Sequence, residues 1–189
     1  MLFFDKLRLF LLLKEAFGLP LPDWTRQYYP QRMLKSTVLS FILNVYNDKL
    51  IRLKGGVLLK KLINDWKSVI DGTIKPKERK AFLYIGHDST IVNLLRALKV
   101  WDPQVPGYAI NIFIEFSQDE YTNEHGIEVF FRNSTEPNAV PYQLQIPNCD
   151  KFCPLNRLIQ LTEAVVPVDW DEECKTDDPN YKPPPPRPP

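Results

Sequence analysis

Residues 81–85 read Ala-Phe-Leu-Tyr-Ile, five apolar side chains in succession, and Gly86-His87-Asp88 follows at once. An unbroken apolar run marks a strand covered on both faces, and such a strand needs a layered sheet around it. From Ser89 to Leu98 the residues Ile91, Leu94, Leu95 and Leu98 recur at helical spacing. A buried strand, a sharp turn and a helix in direct succession predict an α/β chain.

The flanking segments fit around that unit. Residues 2–17 read as a helix with polar groups spread around it, broken by Pro20, Pro22 and Asp23. A second helix is expected from about Gln31 to Tyr46. Arg52-Leu-Lys-Gly-Gly56 reads as a loop whose paired glycines permit a tight turn. Leu59, Leu62, Ile63, Trp66, Val69 and Ile70 then form a clean amphipathic stripe, which Gly72 ends. Lys75 to Lys80 is a basic, solvated connection. Ile110–Phe116 and Ile127–Phe131 predict two strands joined by a polar turn. A short helix is expected to start with Pro154 at its first position and to run to about Ala164. Residues 176–189, ending in KPPPPRPP, have almost nothing to bury and predict a disordered tail. A proline-rich ligand for an SH3 or WW domain is the weaker reading of that tail.

Charge and composition narrow the functional classes. With 24 basic and 23 acidic residues the net charge is +1, so no global field draws the chain to nucleic acid or an anionic membrane. The apolar stretch near the N-terminus is interrupted by Asp5, Lys6 and Arg8 and closed by Lys14 and Glu15, and no signal peptide or membrane span is expected. Zinc-type cysteine and histidine spacing, phosphate-binding glycine loops and the Gly-x-Ser-x-Gly elbow are all missing from the sequence. No metal or cofactor is expected.

One place carries chemistry. His87 stands where the strand ends and the helix begins, and in open α/β sheets ligands gather at the carboxyl ends of strands. The positive end of the following helix favours an anion such as phosphate. A protonated His87 can donate to a phosphate oxygen. Asp88 can hand a proton to a leaving group once burial or a bound anion favours its protonated form. Taken alone, the pair reads as readily as a helix N-cap beside an ordinary loop histidine. The other histidine, His125, lies in the turn Asn123-Glu-His-Gly126 and is expected to be exposed and inert.

Beyond the pair, Tyr84-Ile-Gly-His-Asp-Ser-Thr-Ile-Val92 resembles the second signature of the histidine acid phosphatases, the group that includes prostatic, lysosomal and insect venom enzymes. Leu19-Pro-Leu-Pro-Asp-Trp24, Arg52-Leu-Lys-Gly-Gly-Val-Leu58, Phe131-Arg-Asn-Ser-Thr135, Cys149-x3-Cys153-Pro-Leu and Val166-Pro-Val-Asp-Trp170…Cys174 resemble further blocks of that family in the same order. The resemblance covers roughly residues 1–175. It implies a partial histidine-phosphatase (phosphoglycerate mutase-like) α/β fold. A mixed sheet with flanking helices is joined to part of the helical subdomain, and the N-terminal strands are missing. Residues 1–72 are expected to be mainly helical. Residues 81–132 should hold the sheet and catalytic loop, and 149–174 the C-terminal helix and cysteines.

The resemblance also implies a mechanism. A histidine of an Arg-His-Gly-x-Arg-x-Pro motif attacks phosphorus, and water hydrolyses the phosphohistidine. His87 would bind the phosphate of a phosphomonoester, or inorganic phosphate, and Asp88 would protonate the leaving alcohol. The 189 residues contain no Arg-His-Gly. The expectation is therefore an acid-phosphatase-like chain that is inactive alone, whether a fragment, an incomplete gene prediction or a truncated paralogue. The alternative is a catalytically dead secreted protein that binds through a residual anion pocket or an exposed interface.

The remaining implications concern export. By the resemblance Cys149 pairs with Cys153, Cys174 is left unpaired here, and Asn111 stands where the family has a further cysteine. The alternative is three reduced thiols in a cytosolic protein. Asn133-Ser-Thr135 is a glycosylation sequon. Together these imply a secreted or lysosomal protein. A homodimer is a candidate assembly.

Overall fold

The computed structural model describes residues 3–134, 136 and 138–182. Its elements in chain order are α1 (Phe3–Ala16), a 3-10 turn (Asp23–Gln27), α2 (Gln31–Asn44), α3 (Asp48–Lys54), α4 (Gly56–Ile70) and α5 (Asp88–Ala97). There follow β1 (Asn111–Gln118), β2 (His125–Arg132), β3 (Tyr142–Leu144), β4 (Cys153–Pro154), α6 (Leu155–Thr162), a 3-10 turn (Glu163–Val165) and α7 (Trp170–Glu173). The helices and the open sheet make a partial α/β domain.

The sheet is antiparallel among the described residues. β1 pairs with β2 along its whole length, from Asn111 opposite Arg132 to Gln118 opposite His125. β3 and β4 both pair with β2, β4 near its start and β3 near its end. On β1 the residues Ile112, Ile114 and Phe116 face inward while Phe113, Glu115 and Ser117 face solvent, the period-2 pattern of a half-covered strand. Ile127, Val129 and Phe131 of β2 are buried and meet Leu59, Ile63 and Trp66 of α4 and Val92, Leu95 and Leu98 of the α5 region in one core. A smaller second core, Leu11, Tyr29 and Met33, joins α1 to the start of α2.

Three expectations are corrected. Arg52–Gly56 is not a loop: α3 runs through Lys54 and α4 begins at Gly56. The glycines serve close packing instead. A Cβ on Gly55 would lie 2.1 Å from the Asn93 carbonyl oxygen, and one on Gly56 would lie 1.7 Å from that of Val165. Pro154 sits just ahead of α6 with φ −54° and ψ 137°, so it precedes the first helical residue.

The largest correction concerns Ala81–Ile85. The segment has no ladder partner, and Leu83 and Ile85 are 87% and 92% exposed. A strand exists by hydrogen bonding to a neighbour, and among the described residues none lies alongside. Its other face is attached to α4. Phe82 and Tyr84 stack with centroids 6.4 Å apart, and Arg79 lies over the Phe82 ring. The proline-rich residues 183–189, where the tail was expected to be disordered, lie outside the described residues.

Candidate active site

The turn at His87 is built by its neighbours on both sides. His87 is extended (φ −94°, ψ 165°) and caps α5, so α5 starts at Asp88 rather than Ser89. Its backbone N–H donates to Thr90 Oγ1 at 3.3 Å, while the Thr90 N–H donates to the His87 carbonyl at 2.9 Å. This reciprocal pair satisfies two of the groups that a helix start leaves open. Asp88 Oδ1 accepts the Ser89 N–H at 2.6 Å, which sets a carboxylate in the first turn. A Cβ on Gly86 would sit 3.1–3.3 Å from the Thr90 side chain, so the turn fits glycine closely. Both His87 and Asp88 are exposed.

What lies behind the turn is buried and hydrogen-bonded. Val92, Leu95, Ala97 and Leu98 are buried in the main core. Asn44 Nδ2 donates to Asn93 Oδ1 at 2.8 Å and fastens α2 to α5. Upstream, Tyr84 Oη donates to Asp65 Oδ2 at 2.8 Å, and Lys61 Nζ donates to the same oxygen at 2.6 Å. Burial works to raise the Asp65 carboxyl, but the hydrogen bonds from Lys61 and Tyr84 outweigh it and hold the group below its ordinary value. Burial, followed by the Asp65 hydrogen bond, raises the Tyr84 phenol. Thr90, Tyr84 and Asp65 were not singled out from the sequence. For Thr90 a signal existed, since a hydroxyl three residues after a turn residue is a capping pattern. For Asp65 the i,i+4 spacing to Lys61 is such a signal, but its bond to Tyr84 has none, because Tyr84 lies 19 residues away in the chain.

The other candidate residues lie in other elements. His125 opens β2 and stacks on Phe116 (5.7 Å), which stacks on Trp66 (5.8 Å), so it is part of an aromatic column rather than free in a turn. Cys149 and Cys153 form a disulfide with an S–S distance of 2.05 Å, and Cys174 is a free, exposed thiol. Asn133 is held at the end of β2: its Nδ2 donates to Gln104 and its Oδ1 accepts the Gly107 N–H. Thr135 of the same sequon lies outside the described residues. Among the described residues no group of three His, Cys, Asp or Glu side chains could hold a metal, and no helix is long and apolar enough to cross a membrane.

Comparison with known proteins converges on one group. The family described as histidine phosphatase superfamily (branch 2) matches residues 10–132. A venom acid phosphatase of Apis mellifera is 33% identical over 165 residues, which is 87% of this chain and 41% of the relative. The lysosomal acid phosphatase of Homo sapiens is 34% identical over 86% of this chain and 38% of its own. The human prostatic acid phosphatase is 32% identical over 82% of this chain and 39% of its own. The chain thus spans about two fifths of the length of the curated relatives it matches.

Proposed function

Since this chain belongs to the histidine phosphatase superfamily, branch 2, we propose that it is a part of a phosphomonoesterase of the acid phosphatase type and carries that enzyme's phosphate-binding and proton-donating corner. The observation that carries this reading is the His87–Asp88 turn, fixed by Thr90 at the start of a buried helix. His87 binds a phosphate oxygen, and the N-terminal end of α5 adds its partial positive charge there. Asp88 delivers a proton to the departing alkoxide, a contribution of about 10²–10⁴ in rate for a well-placed acid. Both groups face solvent in these 189 residues.

Proton donation without a nucleophile does not turn over, and the 189 residues hold no Arg-His-Gly sequence to supply one. Purified residues 1–189 should therefore leave p-nitrophenyl phosphate unhydrolysed at pH 5. Turnover that disappears in His87→Ala would overturn the missing-nucleophile argument. The positive test uses a longer product of the same gene, if its reading frame encodes Arg-His-Gly-x-Arg-x-Pro. There Asp88→Asn should cut kcat by about 10²–10⁴ with little change in KM. An unchanged kcat would remove Asp88 from the reaction. Localisation follows the same line: the relatives include lysosomal and venom proteins, and we read this chain as secreted or lysosomal, with Asn133 glycosylated.

A further inference from the structure

The end of α5 far from His87 borders a cavity of about 170 Å³. Its apolar walls include Leu95, Trp101, Phe131 and Leu144, and its exposed lining residues are Asp102 and Tyr142. From His87 to Leu95 the helix rises about 12 Å, so the cavity is separate from the turn that carries the candidate active site. We infer that it is a binding site for a small alkylated ammonium ion of choline size, held by three aromatic rings and the Asp102 carboxylate.

The space comes from packing inside residues 95–144. Leu95, Trp101 and Phe131 are buried in the main core. The sheet runs β1-β2-β3, and the cavity lies on the β3 side, against Phe131 of β2 and Tyr142 and Leu144 of β3. No residue of β1, on the opposite side of β2, lines it.

Size and lining together select the ligand class. A space of about 150 Å³ already admits a benzene-sized molecule. Phe131 and Tyr142 stand at right angles with centroids 5.7 Å apart, which makes a corner, and Trp101 supplies a third wall. Aromatic rings attract a cation through their quadrupole, and Trp does so best. Asp102 adds a full negative charge and takes part in none of the ion pairs among the described residues. No Lys or Arg lines the cavity, and Lys99 borders a different one. Gln104 Oε1, another polar group of the lining, already accepts from Asn133.

This lining works against the other classes. An anion would meet the carboxylate with no counter-charge beside it. A primary ammonium would leave N–H donors unpaired against Leu95 and Leu144. An alkylated ammonium carries its charge beneath methyl groups that suit those walls.

Titration of 1–189 with choline and with its neutral isostere, 3,3-dimethylbutan-1-ol, tests the site. The methyl signals of Leu95 and Leu144 and the Trp101 indole signal should shift with choline, at about tenfold lower concentration than with the alcohol. Asp102 is exposed, so Asp102→Asn should leave the melting temperature unchanged while removing most of that preference. Equal response to both compounds, no response to either, or shifts confined to other residues would overturn the inference. So would a preference for choline that survives Asp102→Asn in full.

Discussion

A methyl group at position 55 would meet the Asn93 carbonyl oxygen at 2.1 Å, inside any tolerable contact. Backbone cannot step aside as the end of a flexible side chain can. Gly55→Ala should therefore cost at least the ~1–3 kcal/mol typical of overpacking, read as a shift in the urea midpoint. Tolerance of alanine there would mean that α3 and α5 do not approach as described. Glu173 makes a second prediction at this scale. The Arg52 guanidinium beside it, helped by the Val168 N–H, pulls its carboxyl down to about 2 from an ordinary 4.5. A depressed folded value means that stability is present above the unfolded value and is lost as pH falls through the folded one. The melting-temperature gap between wild type and Glu173→Gln should be full above about pH 4.5 and close as pH approaches about 2. A gap that persists unchanged at pH 2 would contradict the ion pair. Neither residue was legible in the sequence for this role. Paired glycines read the same whether they serve a turn or a helix crossing. Arg52 and Glu173 stand 121 positions apart with no local periodicity to connect them.

Among the elements, α4, α5, β1 and β2 were legible because their apolar periods match one buried face. Ala81–Ile85 shows the limit of that logic. Its composition demands two covered faces and two strand neighbours, yet a composition cannot supply the neighbours. The result is an extended segment with Leu83 and Ile85 facing water. Exposed apolar strand edges invite association. Residues 1–189 should accordingly self-associate as concentration rises in sedimentation runs. Leu83→Lys with Ile85→Lys should reduce that association while leaving the melting temperature unchanged, since both side chains are already in solvent. Undiminished association in the double variant would place the contact elsewhere. The candidate site was legible for the same reason that α5 was: His87 and Asp88 stand at a change of period. Its support from Thr90 was only partly legible, and that from Tyr84 and Asp65 was not.

For the whole molecule, the division of the interior into two cores has a dynamic consequence. The main core draws on α3, α4, α5, β2 and α6, whereas Leu11, Tyr29 and Met33 form a separate cluster with Leu7 and Leu21 beside it. The boundary runs through α2, whose Met33 belongs to the small cluster and whose Phe41 and Ile42 pack on the large one. Among the described residues, so few buried side chains hold the helical hairpin less firmly than the main body is held. Local opening free energies follow the apolar contacts that hold each part. Amide hydrogen exchange should therefore proceed in two classes. Amides of α1 and the first half of α2 should exchange through a partial opening, while those of α4, α5 and β2 should wait for global unfolding. Uniform protection across both would mean that the hairpin and the body unfold as one. If two classes appear, the chain can lose its first forty residues to solvent, transiently and reversibly, while the turn at His87 stays in place.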